Sequence, residues 1–177
     1  MRFYDAEIQR TLPTLRPMLT TINILALLLT GLITGLFYAY DFSVVGGLGQ
    51  LDDRAYLSAF QSINRVIQNP AFFTSFMGTL VVLPLATYMN YKVISMPAFY
   101  LMLAAALVYI IGVFGVTMFG NVPLNNALDA FDITTATDAS MKQMRSQFEG
   151  PWNMLNHIRT FSCVVSFVLL IVSKVKF

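Results

Sequence analysis

Charge is scarce in this chain, and so are the side chains most often used for chemistry. Lysine and arginine total 11 and aspartate and glutamate 9, only 11% charged residues against 56% hydrophobic ones. Ordinary soluble domains carry about 25% charge, so a water-facing surface of normal composition is excluded. The net charge of +2 is too small, and its basic residues too scattered, for nucleic-acid binding. One cysteine, Cys163, excludes an internal disulfide and a cysteine-rich metal site. One histidine, His157, excludes bis-histidine haem ligation within the chain. No Glu-x-x-His pair, zinc-ligand cluster, trustworthy Ser-His-Asp spacing or phosphate loop is present. The expectation is therefore of a protein without a metal or organic cofactor of its own.

What the chain does have is four long apolar stretches, about 18–40, 72–91, 98–119 and 152–175. Each is near the ~20 residues a helix needs to cross a ~30 Å hydrocarbon core. Only helices and closed barrels satisfy their backbone in lipid, and this length selects helices. The expected fold is an all-α integral membrane four-helix bundle, one domain over 1–177. The first stretch follows a polar leader, Met1–Pro17, and reads as an uncleaved span rather than a signal peptide. The leader, Arg2–Leu15, reads as a short interfacial helix.

Arg2, Arg10 and Arg16 in the leader, Lys92 between spans two and three, and Lys174 and Lys176 in the tail all fall on one side. The other side holds Arg54, Arg65, Lys142, Arg145 and Arg159, spread over two much longer connections, with seven of the nine acids, so the bias rests on the short flanking segments. The positive-inside rule then makes both termini cytoplasmic, in a multi-pass protein of the cell or inner membrane, with the long connections outward.

Along the chain, Gly31 and Gly35 form a G-x-x-x-G pair on a face with Leu27, Thr34 and Tyr38, fit for close helix packing or for a dimer seam. After the flexible Gly46-Gly47-Leu48-Gly49, residues 53–68 read as an outward-facing amphipathic helix. Asp52 or Asp53 would cap it, with Tyr56, Phe60, Ile63 and Ile67 as its apolar stripe and Asn64 within that stripe. Pro84 should kink the second span. The third should end at Gly120-Asn121-Val122-Pro123. A short polar helix over Ala139–Phe148 should follow, closed by Gly150-Pro151.

Polar residues gather at one level. At ~100° per residue, Trp152, Asn156, Arg159, Cys163 and Ser166 form a narrow stripe on the fourth span, extended by Asn153, His157 and Thr160. Met154, Ile158, Phe161, Val165, Val168 and Val172 make the lipid side. Ionisable residues inside a span are costly and mark functional sites by default, although Arg159 could instead snorkel to headgroups. Asn121, Asn125 and Asn126 lie at the same level, where they are either turn chemistry or site residues. Asn64, Tyr38 and Asp41 could join them in one polar pocket. A base (His157), a fixed cation (Arg159) and amides can deprotonate a weak carbon or phenol acid and hold the anion, or simply bind a headgroup. A lone histidine at a helix start is more often structural than catalytic.

Three motifs carry a resemblance over nearly the whole chain. They are Ile63-Asn64-Arg65 with Asn69-Pro70, then Asn121-Val-Pro-Leu-Asn125-Asn126-x-Leu128, then Trp152-x-x-x-Asn156-His157-x-Arg159-Thr160. In these the chain resembles the anthrone oxygenase-like family of small membrane proteins. The resemblance implies a four-span fold and, by its named members, oxidation of an anthrone to an anthraquinone with dioxygen and no established cofactor. It carries over Asn64, Asn121, Asn125, Trp152, His157 and Arg159 as site positions. The expected assignment makes His157, Arg159 and Asn125 catalytic, and Asn64, Asn121, Trp152, Asn156 and Tyr38 substrate-binding. The partners expected are the lipid bilayer and a lipophilic aromatic molecule, anthrone- or quinol-like. A non-catalytic subunit or scaffold binding lipid or a membrane-protein partner is the alternative. A transporter or channel would require a homo-oligomer.

Overall fold

The computed structural model describes residues 2–91 and 93–175, with side chains from Leu15 onward. The charges Arg2, Arg10, Lys92 and Lys176, and the leader expected as an interfacial helix, lie outside the described side chains. Among the described residues every regular element is helical. Four stretches are long and apolar enough to cross a membrane: Leu15–Gly49, Pro70–Asn90, Met96–Asp129 and Asp138–Val175.

Only the second of these is confined to bilayer length. Helix α1 (Arg2–Ala39) continues through a π-helical segment, Tyr40–Val44, into α2 (Val45–Gly49). Helix α3 (Asp53–Val66) precedes α4 (Pro70–Asn90). The third span runs from α5 (Met96–Val108) through π segments at Tyr109–Gly115 and Thr117–Asn121 into α6 (Val122–Asp129). Helix α7 is unbroken from Asp138 to Val175. Local chemistry sets the starts. Asp52 accepts from the Ala55 N–H at 2.9 Å, Asn69 from Phe72 at 3.0 Å and Ser95 from Ala98 at 3.4 Å. Pro70 and Pro97 stand in first turns, where no N–H is needed.

Three expected breaks are therefore helical instead. The third span does not end at Asn121–Pro123, because Pro123 falls in the first turn of α6. The helix expected over Ala139–Phe148 is the first part of α7, which passes through Gly150-Pro151. Pro151 withholds a donor from the carbonyl of Gln147, an exposed residue whose carbonyl water can serve. Gly46 and Gly47 likewise stay helical, with open space around their α-carbons. Helix α4 runs through Pro84 without interruption.

Two apolar cores result. The intramembrane core joins Ala26, Ile33 and Phe37 of α1 to Phe76, Leu83 and Ala86 of α4, Met102, Tyr109 and Val113 of the third span, and Cys163 and Leu170 of α7. Small residues and hydroxyls bring the helices close, as lipid-embedded packing requires. Gly31 seats the ring of Phe167, whereas Gly35 faces open space. Ser166 donates to the Ala105 carbonyl at 2.8 Å, and the Tyr109 hydroxyl to the Phe76 carbonyl at 2.8 Å. The second core is a cap on the projecting helix ends, formed by Leu48, Tyr56, Leu57, Phe60, Leu128, Ile133, Met141, Phe148 and Trp152. Arg145 ties it together, bonding Glu149, Asp53 and the Gly49 and Leu51 carbonyls and lying 4.4 Å over the Tyr56 ring. Burial, and then Glu149 against the opposing Arg145, hold the Tyr56 phenol well above its usual range. Gln61 and Arg54 pin the connecting loop through the carbonyls of Leu128, Phe131, Ile133 and Ala136.

Candidate functional site

Where the two cores meet, the helices enclose a cavity of about 200 Å³. Its position follows from α7. The 152, 156, 159, 163, 166 spacing stacks those side chains on one face, and all five are buried. Trp152 closes the cavity on the cap side. Its indole donates to Asn125 Oδ1 at 2.8 Å, and its ring packs 4.7 Å from Phe60 and 5.6 Å from Tyr40. One turn deeper, Asn156 donates to Asp41 Oδ1 at 2.7 Å and accepts from Arg159 Nη2 at 2.7 Å. Phe37, Phe72, Phe73 and Phe76 add an aromatic wall, with Leu36, Met118 and Val122 as aliphatic neighbours and Ile63, Asn64 and Gln68 from the connection before α4.

Arg159 is only 6% exposed and does not snorkel. Its guanidinium carbon lies 4.6 Å from the Phe37 ring centre and 5.4 Å from that of Trp152, with Nη1 3.5 Å from Thr117 Oγ1. Among the described residues no carboxylate forms an ion pair with it. The nearest compensation is Asp41, reached through Asn156. A buried cation held by amide, hydroxyl and ring faces retains its field for something else in the cavity.

Of the expected site residues, Arg159, Asn156, Trp152, Asn125 and Asn64 line this cavity together with Asn126. Asn121 is fully buried beside it, one turn before Asn125, with both amide atoms unpartnered. Tyr38 is elsewhere: the residue is 54% exposed and its ring centre lies 4.7 Å from that of Phe42. The interior face of the first span is Ile33, Thr34 and Phe37, set by bulk rather than by the glycine pair, and that face delivers Tyr40 instead. His157 is also outside. Its imidazole is 63% exposed, and Nδ1 lies 2.8 Å from Oδ2 of Asp41, whose side chain is 3% exposed. One residue beyond Asn156 on the helix, it necessarily points ~100° away from the cavity. Residues the sequence reading missed are Tyr40, Phe37, Thr117 and the α4 phenylalanines. The 33, 37, 40 spacing was the available signal for the first two.

Several polar atoms here are buried without partners. They include the Tyr40 hydroxyl, Asn64 Nδ2 and Arg159 Nε, all on cavity-lining residues. Among the described residues, no three His, Cys, Asp or Glu side chains gather as metal ligands would.

A sequence model of the anthrone oxygenase family matches residues 71–169, just over half of the chain. The chain belongs to that family. No curated protein and no solved structure matches it.

Proposed function

We propose that this member of the anthrone oxygenase family is a membrane oxygenase acting on a flat, lipophilic aromatic ketone of the anthrone type. One observation carries the reading. Three residues that line the cavity carry buried donors without partners: Tyr40 O–H, Asn64 Nδ2–H and Arg159 Nε–H. A buried donor left unmade costs ~1–3 kcal/mol, so three in one cavity point to a ligand that brings acceptor oxygens. A scaffold role would favour polar groups paired with one another. An aryl ketone with neighbouring hydroxyls presents such acceptors, and the phenylalanines and Trp152 suit its rings.

In this reading the ketone oxygen faces the donors. As the opposite methylene loses a proton, negative charge moves onto that oxygen, where Arg159, Tyr40 and Asn64 stabilise it. The electron-rich ring system then reacts with dioxygen. The methylene carbon loses two hydrogens and gains one oxygen atom, and the second oxygen atom leaves as water. Among the described residues no lining side chain is a carboxylate or imidazole, so a water molecule held in the cavity beside the substrate takes the proton. His157 and Asp41 act from outside by holding Asn156 against Arg159. Asn125 fixes the indole of Trp152. No cofactor is invoked, and the partners are the bilayer and the substrate. The same reading keeps both termini cytoplasmic and the cap outside, which a cysteine placed at Asp138 in a Cys163→Ser background would test by one-sided labelling.

The test is dioxygen uptake with an anthrone substrate, measured above its spontaneous oxidation. Arg159→Gln should lower kcat by ~10²–10³, as removal of an oxyanion donor does elsewhere. A wild-type rate equal to the protein-free rate, or an undiminished Arg159→Gln, would overturn the proposal.

A further inference from the structure

Helix α4 has 21 residues, ~32 Å at 1.5 Å per residue, against a hydrocarbon core of ~30 Å. It has no length to spare, so its first turns must lie at and just inside the lipid boundary. That places Phe73 ~5 Å within the helix end and Phe76 ~9 Å within it. Met118 of the third span lines the same cavity as Phe73, which puts it at a similar depth.

At this level the two spans are apart. Helix α4 packs on the third span through α5 and the Tyr109–Gly115 segment. The last contacts on that path are the Tyr109 hydroxyl on the Phe76 carbonyl at 2.8 Å and the Phe76 and Phe114 rings, 5.9 Å between centres. Beyond them helix α4 and the Thr117–Asn121 segment share few or no close contacts. Phe73 and Met118 both line the cavity, yet they are 45% and 42% exposed. The cavity thus has a side opening framed by two apolar side chains at a depth where the surroundings are acyl chains. Its ~200 Å³ is also small beside the ~300–1,000 Å³ of usual ligand sites, so a multi-ring ligand would project through that opening.

We infer that the cavity is loaded sideways from the bilayer, through a slot between Phe73 of α4 and Met118 of the third span, by a molecule dissolved among the acyl chains. This rests on the reading of the cavity as a substrate site, and adds where the substrate comes from. A polar end can lead inward to Arg159 while the apolar rings stay in the slot.

Trp152 is the only tryptophan in the chain and lines the cavity at 4% exposure, which makes it a reporter. The intact protein is placed in phosphatidylcholine vesicles with or without dibrominated acyl chains. Brominated chains should quench Trp152, and iodide in the water should not. Narrowing the slot with Met118→Phe and Val122→Phe should restore emission, and widening it with Phe73→Ala should deepen the quench. The widening variant decides the matter if the narrowed one does not fold. Quenching that ignores both variants, or that iodide produces and brominated chains do not, would overturn the inference, the latter by opening the cavity to water between Gln68 and Asn126. The measurement needs no turnover. Slot-dependent quenching with no dioxygen uptake would sink the oxygenase reading alone, and uptake with slot-independent quenching would sink only the route.

Discussion

At the scale of the residue, the cavity wall leaves polar groups unpaired, and the cost of that can be measured. The Tyr40 hydroxyl has no partner in the ligand-free fold, so removing it removes a penalty. Tyr40→Phe should therefore hold or raise stability in detergent, by up to ~1 kcal/mol, while slowing anthrone oxidation. A variant that loses stability instead would mean the hydroxyl is already satisfied. Asp41 behaves differently, because it is buried and accepts from Asn156 while facing His157. Asp41→Ala leaves the Asn156 amide without its buried acceptor and should cost ~1–3 kcal/mol. Asp41→Asn keeps an acceptor for Asn156 and should recover part of that loss, which chemical denaturation would show. His157→Ala should have a small effect beside Asp41→Ala, since its ring is 63% exposed. A general base would cost ~10²–10⁴ in rate on removal. A loss of that size in His157→Ala would reinstate the histidine as base and contradict the geometry.

At the scale of the element, periodicity was readable and the points where helices stop were not. The α7 stripe from Trp152 to Ser166 lies buried as the ~100° wheel requires, because residue identity alone fixes which side avoids lipid. Helix α3 was legible too: Asp52 caps it, and Tyr56 and Phe60 are buried. The extensions past the membrane were hidden for a physical reason. A hydropathy run ends where lipid ends, not where the helix does, and Pro123, Gly150 and Pro151 read as breakers out of context. Tyr40 was masked by the glycine pair, which drew the inner face of the first span to Gly31, Gly35 and Tyr38 rather than to the bulky 33, 37, 40 spacing. Packing between elements makes its own prediction at Gly112. A Cβ there would meet Ser162 Oγ, with Ser162 Cβ at 2.7 Å. Gly112→Val should force the third span off α7, lowering the melting temperature and the yield of folded protein. Gly35→Val, with nothing within 4 Å, should leave both unchanged.

At the scale of the molecule, the two cores are stabilised by different forces. Inside the bilayer a leucine buried among helices gains no transfer free energy over one facing lipid, so dispersion and close fit carry the packing. In the cap the alternative to burial is water, and the hydrophobic effect acts in full. Phe60 and Leu83 are both fully buried, the first in the cap core and the second in the intramembrane core. Phe60→Ala should lose both the transfer and the cavity terms, ~3–5 kcal/mol. Leu83→Ala should lose chiefly the cavity term, ~1–2 kcal/mol. Phe60 also backs Trp152, which closes the candidate site, at 4.7 Å between ring centres. Its truncation should therefore free the indole and shift Trp152 emission to the red at temperatures where the spans are still folded. Far-ultraviolet circular dichroism and tryptophan emission, followed together on heating, would separate for Phe60→Ala and coincide for Leu83→Ala. Coincident curves in both would mean that cap and bundle unfold as one cooperative unit, and that the cavity roof cannot open on its own.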